Sequence, residues 1–326
     1  MDAKGTQLSN PYSTGGGGNN FETEVQTAFV VLMLTGGVAP CVPSWPIVKI
    51  KLQGKNASFQ TDDFIAFVEN RQSKQGAKLL AQIKHSLSIT ESDIVFGQVV
   101  QAAWLDFQNP AIFDKDSDAL ALITGPLSRY DVENARTILW WARHTDSPQE
   151  FFDNVNLGNF SSETKKTKLR AFRFHLKNAN GNQDVDDDRT WAFLRCFHLL
   201  GYDLDFKSGV TLSILESHLQ QVSDYEVKGL WALVKREVAF ANQDAGTITY
   251  DSFSPEIRAH FKRRIDQPEV FVEPSAQVAP AQPMNSQNLL DAAQENAVVP
   301  ALLIGEWDEN TTGDLESIDK LISDNE

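Results

Sequence analysis

Asp62-Asp63-Phe64-Ile65-Ala66-Phe67-Val68 and, one turn later, Lys78-Leu79-Leu80-Ala81-Gln82-Ile83-Lys84 are the stretches on which the fold turns. Both are short, apolar runs bounded by turn-forming residues, and both read as β-strands. Ser73-Lys74-Gln75-Gly76 supplies the turn between them. Upstream, Ile47-Val48-Lys49-Ile50-Lys51-Leu52 alternates apolar and polar residues and Gly54-Lys55-Asn56 forms a further turn, so three strands read as a meander.

The flanks extend this to a fold class. Residues 21–34 place Phe21, Val25, Ala28, Phe29 and Leu32 at helical spacing, with Asn19 or Asn20 as a cap and Gly36-Gly37 as the stop. Glu22 and Gln26 share one side of that helix, one turn apart. A second helix is expected over about 92–107 with Ser92 as its cap, and the wholly apolar 119–124 suits a central or parallel strand. Helix, three strands, helix, strand is an α/β core with a mixed sheet, its fourth strand arriving by a crossover. Beyond it, helices are expected at 131–143, 164–178, 188–200, 211–222, 224–241 and 254–264, with little strand signal.

The chain has 326 residues, 41% of them hydrophobic, enough for one large core or two ordinary ones. Its domains read as a glycine-rich lead-in (1–20), an α/β core (21–130), a helical region (131–265) and a proline-marked acidic linker or tail (266–326), from which a further module could follow. Cys41 and Cys196 lie far apart without ligand spacing, which argues against a disulfide framework or a zinc knot and for a reducing, cytoplasmic setting. No leader pattern opens the chain and no run reaches the roughly 18 apolar residues of a membrane span.

A formal charge of −15 argues against a nucleic-acid partner, but its distribution does not. Residues 271–326 hold eleven acids and one lysine, so the tail alone carries −10. Residues 1–100 balance at eight acids and eight bases, and 161–270 at sixteen and sixteen.

On one strand, side chains two apart point to the same face, so Gln82 and Lys84 stand side by side, roughly 6.6 Å apart. An antiparallel turn through 71–77 would bring Asp62 or Asp63 beside them. A carboxylate there can hold a hard divalent cation, the Gln82 amide can add an oxygen ligand, and Glu22 can complete the shell. Lys84 can orient a water and offset charge developing on phosphorus oxygens. Asp-Asp before an apolar run also serves as a plain turn, and Gln-x-Lys as a solvated face. The four-glycine stretch lacks the Gly-Lys-Ser/Thr of a phosphate loop. His175, His198, Trp140, Trp141 and Trp191 read as packing, surface or interface residues, and 298–304 with Trp307 as an apolar patch able to dock on another surface.

The order of these elements resembles the restriction-endonuclease-like superfamily with a PD-(D/E)xK active site, in the Mrr-like group in which glutamine replaces the last acid. It resembles more closely still the N-terminal nuclease effector domains of bacterial anti-phage proteins, of the STAND NTPase or cyclic-oligonucleotide-activated type. The resemblance covers roughly 15–125. It is carried by Gly18-Asn19-Asn20-Phe21-Glu22, similar to the group's Gly-x-x-Phe-Glu opening, by Gln82-Ile83-Lys84, and by 86–93 with the helix to Trp104.

The resemblance implies a restriction-endonuclease-like core and a Mg2+- or Mn2+-dependent endonuclease acting on double-stranded DNA as an anti-phage effector. It implies Glu22 as the helix acid, Asp63 as the main metal-binding aspartate with Asp62 as second choice, Gln82 as the acid-replacing ligand and Lys84 as the catalytic lysine. Backbone contacts to DNA would come from Lys49, Lys51, Lys55, His85 and Ser86. The basic run Lys165, Lys166, Lys168, Arg170 and Arg173 is more simply a wet helix face. A homo-oligomer and a fused or associated NTPase or sensor are the implied partners. The other reading is a nuclease-fold interaction module that binds a partner protein or DNA without cutting.

Overall fold

The computed structural model describes residues 16–158, 161–204 and 209–261. A six-stranded mixed sheet in the order β5-β4-β3-β2-β1-β6 is its centre. Strands β1 (Ile47–Leu52), β2 (Phe64–Glu69) and β3 (Gly76–Lys84) form the antiparallel meander. Helix α2 (Ile94–Phe107) then crosses over so that β4 (Ala119–Thr124) lies parallel to β3. All six β4 residues are buried, as its reading as a central strand requires.

The strand period of two divides the sheet into two apolar faces. Leu79, Ala81 and Ile83, with Phe64, Ala66 and Val68, pack under α1 (Gly16–Thr35), α8 (Val210–Val222) and α9 (Val227–Gln243). Ile65, Leu80, Leu120 and Leu122 pack on the other face under α2, α4 (Thr137–His144), α5 (Pro148–Asn156), α6 (Glu163–Ala179) and α7 (Asp187–Cys196). The result is helices over both faces of a mixed sheet, followed by helical chain that continues both layers.

Several boundaries differ from the sequence reading, each for a local reason. Helix α1 starts at Gly16, so the last five residues of the lead-in are helical; the buried stripe from Phe21 to Leu34 outweighs the cost of glycine in a helix, about 1 kcal/mol each. Asp93, not Ser92, caps α2, accepting the Phe96 N–H. The helix expected over 188–200 ends at Cys196; Phe197–Gly201 becomes β5, whose pairing with β4 satisfies the backbone of that sheet edge. His198 therefore sits on a strand. Helix α5 was not foreseen, although Ser147-Pro148-Gln149-Glu150 carries its start signal and the Ser147 hydroxyl accepts the Glu150 N–H. Nor was β6 (Thr247–Thr249), three residues paired with Lys49–Lys51 and too short for any period to show.

The segment 131–143 forms a short turn of helix α3 (Arg129–Asp131), a π-helical stretch at Val132–Arg136 and then α4. The helix expected at 254–264 is α10 (Pro255–Ala259), and residues 262–264 lie outside the described residues, as does the whole 266–326 segment with its apolar patch. Both cysteines are free thiols. Among the described residues no helix is long and apolar enough to cross a membrane.

Asp106, at 1% exposure, ties α2 to the segment entering β2: its carboxylate accepts the Gln60 N–H at 2.8 Å and the Thr61 N–H at 2.7 Å. Asp106→Ala leaves both amides without that acceptor and is expected to cost about 2–4 kcal/mol. Urea unfolding should show a lowered midpoint with an unchanged m-value, and Asp106→Asn should fall between the two.

Candidate functional site

One end of the sheet collects the polar residues singled out in the sequence. The register of β2 on β3 closes at Phe64↔Ala81. Continued one step, it sets Asp63 opposite Gln82, and there the Asp63 carboxylate accepts a short hydrogen bond from the Ile83 backbone N–H. The same oxygen lies 3.2 Å from Lys84 Nζ. Asp63 is 7% exposed. Burial pushes its carboxyl above the ordinary range, with Lys84 and the Ile83 N–H pulling the other way.

Asp62 is turned elsewhere. Its carboxylate pairs with Lys55 at 3.0 Å, and its backbone carbonyl accepts the Gly54 N–H. Gly54 is needed at this approach, because a Cβ would overlap the Thr61 carbonyl oxygen and the Ile65 side chain. Gln53, next to it, holds φ at 52°, in the left-handed region that is costly for a side chain other than glycine.

Glu22 arrives from α1, anchored by Phe21, which is buried and meets the His85 ring edge-on at 5.2 Å just past the end of β3. Burial raises the Glu22 pKa, the Asp63 charge raises it further, and hydrogen bonds from Asn242 and Gln26 with the charge of Lys84 oppose the rise. Glu22, Asp63 and Lys84 thus share one electrostatic neighbourhood. Gln82 stands on the Lys84 face of β3, half-buried.

Two residues that carried no assignment hold this group together. Gln26, fully buried, donates to Glu22 at 3.0 Å and to the Asp63 carbonyl at 3.2 Å. Asn242, at the end of α9, donates to Glu22 at 3.5 Å and accepts from Gln53 at 3.0 Å. The spacing of Glu22 and Gln26 was a usable signal. Asn242 is 220 positions from Glu22, and nothing local marks it.

The proposed DNA contacts are spread. Lys49 lies over the Phe67 ring at 4.0 Å, Lys51 donates to the Ala245 carbonyl and Lys55 pairs with Asp62, while Ser86 is exposed beyond β3. The basic run on α6 is partly engaged within the fold. Lys168 is buried against Asp131 and the Ile89 carbonyl, Arg170 pairs with Glu163, and Arg173 pairs with Asp187. A uniformly wet face, as the sequence suggested, is therefore not what Lys168 occupies. It is one of the buried residues of α6, its ammonium lies 5.1 Å from the Tyr130 ring centre, and the Asp131 carboxylate meets its charge.

Chemically the arrangement sets two carboxylates with raised proton affinity against one ammonium, at the edge of a dry core. Among the described residues, no group of three or more His, Cys, Asp or Glu side chains is placed to hold a metal ion.

Neither a protein-family model nor a curated protein matches the sequence. Among solved structures, the chain is similar to the Acinetobacter baumannii Cap4 SAVED/CARF-domain containing receptor with the cyclic trinucleotide 3'3'3'-cAAA, with TM-score 0.40 and 10% identity over 74% of this chain and 48% of that one. The Moraxella osloensis Cap4 SAVED/CARF-domain containing receptor gives TM-score 0.38 and 11% identity over 72% and 45%. The chain spans about half the length of these receptors. An overlap this loose carries neither fold nor activity across.

Gln26→Leu removes the amide that links Glu22 to the Asp63 backbone and is expected to destabilise the protein by about 1–3 kcal/mol with an unchanged far-UV spectrum. Equal stability of variant and parent would mean that the network does not hold α1 to β2.

Proposed function

We propose that this chain is a nuclease-fold protein that engages double-stranded DNA at the Glu22–Asp63–Lys84 end of its sheet and hydrolyses the phosphodiester in a divalent-cation-dependent reaction. The observation that carries the reading is the convergence of Asp63 and Lys84 at 3.2 Å, with Glu22 close enough for the Asp63 charge to raise its pKa.

The donor set fits Mg2+ or Mn2+. The buried Asp63 and half-buried Glu22 carboxylates face a single ammonium, and Mg2+ is commonly held by one or two carboxylates, with water and substrate phosphate as the other ligands. Glu22 and Asp63 would hold the ion, with the Gln82 amide as a further oxygen donor. Bound there, it would supply charge neutralisation at the phosphate oxygens and a more acidic water. Lys84 has three N–H donors and uses one on Asp63, so it can also hydrogen-bond a water or a phosphate oxygen. In the reaction a water oxygen forms a bond to phosphorus as the bond to the leaving sugar oxygen breaks, and that oxygen takes up a proton. Gln26 and Asn242 keep the Glu22 carboxylate oriented throughout.

The context of an anti-phage effector, working as a homo-oligomer with a sensor or NTPase, is proposed from the sequence resemblance alone. So is the restriction-endonuclease-like identity of the core. A second reading is favoured by one observation: the described residues include no three-ligand cluster of acids, histidines or cysteines. In that reading the protein binds DNA or a partner protein with the same fold and does not cut.

Incubation of supercoiled plasmid with the concentrated protein and Mg2+ or Mn2+ separates the two. Cleavage is expected, suppressed by chelation and reduced on the order of 10²–10³-fold in Lys84→Ala. Intact plasmid with both proteins, alongside DNA retention in a gel-shift assay, would overturn hydrolysis in favour of the binding module.

A further inference from the structure

The parallel strands have a second end, and the structure builds a cavity there. Lys115 and Asp116 precede β4, Cys196 ends α7 and His198 lies near the start of β5, and both sets face the loop at Cys41, so a space of about 570 Å³ opens at the end of the sheet away from Lys84. Six residues of β4 separate the two ends, roughly 20 Å of strand.

Three cations line this cavity, and among the described residues none of them makes an ion pair. Arg143, half-buried in the last turn of α4, uses one of its five N–H donors on the Phe197 carbonyl at 2.9 Å. Burial lowers its pKa, the signature of a cation separated from water without a carboxylate partner. Arg195 is exposed and lies over the Trp191 ring at 4.5 Å, and Lys115 sits over Phe107 at 4.4 Å.

The acids nearby do not balance them. Asp118 is fully committed, its carboxylate pairing with Lys78 at 2.6 Å and accepting the Lys78 and Asp114 N–H groups. Asp116 is the remaining carboxylate of the lining. Three positive charges against one leave a local excess of two. The other polar groups do not alter that count: burial pushes His198 down to about 3, so it is neutral, and holds both the Cys41 and Cys196 thiols up at about 11.

We propose that this cavity binds a small phosphate-bearing anion, with Arg143 and Arg195 supplying planar, two-pronged donors and Lys115 a point charge at the rim. Guanidinium groups match phosphate oxygens in pairs, and a local excess of two positive charges suits a phosphate dianion better than a single carboxylate. The volume falls within the usual range for small-molecule sites. The site is separate from the Glu22–Asp63–Lys84 end and stands whether or not that end cuts DNA.

Isothermal titration of the full chain with inorganic phosphate and with pyrophosphate, at matched ionic strength, tests this, with citrate as the carboxylate control. Saturable binding is expected, tightest for pyrophosphate, accompanied by a rise in Tm. Arg143→Gln should weaken it tenfold or more. Because Arg143 also bonds Phe197, Arg195→Gln is the companion variant: that side chain rests on the Trp191 face, and its loss should weaken binding similarly with an unchanged Tm in the absence of ligand. Lys84→Ala should bind as the parent does. Absence of saturable heat, equal binding of citrate, or affinity unchanged from the parent in both arginine variants would overturn the proposal.

Discussion

Where β2 begins, the Asp63 carboxylate accepts the Ile83 N–H and stands against the Lys84 ammonium, and the arrangement of the whole site depends on that contact. It takes the place of a further rung on the β2–β3 ladder, which closes at Phe64↔Ala81. At an effective dielectric near 20, unit charges 3.2 Å apart attract by about 5 kcal/mol before desolvation is counted. Yet the Asp63 pKa is raised, so burial outweighs both Lys84 and the amide. The pair therefore does not hold the strands together; the strands, packed on both faces, hold the pair.

The same reasoning extends to the helices. Phe21, Val25 and Phe29 fix α1 on the sheet, and Leu230, Val234 and Val238 fix α9 beside it. With both helices pinned, Glu22, Gln26 and Asn242 have little freedom to move apart. Glu22 is kept in a place where its charge is disfavoured by burial and by Asp63. Such a carboxylate contributes less to folding than a neutral isostere would, a common trade of stability against a poised site. Gln26 shows the same tension: its amide nitrogen has three acceptors, while its buried carbonyl oxygen has no partner among the described residues.

Legibility in the sequence followed the range of the interactions. The meander and β4 were readable because each strand carries its own apolar pattern and turn residues, and the Asp63–Lys84 meeting follows from hairpin register. Asp63 is already preferred to Asp62 in the sequence because it directly precedes the apolar strand; what the sequence does not show is that Lys55 pairs with Asp62 through the turn at Gly54 while Asp63 meets Lys84. Strand β5 was hidden because Phe197-His198-Leu199-Leu200 continues a helical spacing from α7, and only pairing with β4 makes it extended. Asn242 was invisible for the same kind of reason. Its role is defined by a partner 220 residues away, through the packing of α9 on α1.

Charge adds a constraint on how such a molecule could meet DNA. Among the described residues, the end that gathers Glu22, Asp63 and Lys84 sets two carboxylates against one ammonium, and Lys51 and Lys55 are engaged by Ala245 and Asp62. Ten of the fifteen net negative charges lie in residues 271–326, so at distances beyond the Debye length of about 8 Å the chain as a whole repels a polyanion only as strongly as salt allows. Close approach then depends on short-range contacts, which a single copy of this surface supplies sparingly. Joining several copies raises the effective concentration of those contacts without any new side chain, and a nuclease built this way would be quiet when dispersed and active when assembled. Under the proposed reading, weak electrostatic attraction between a single copy and DNA would make assembly the controlling step.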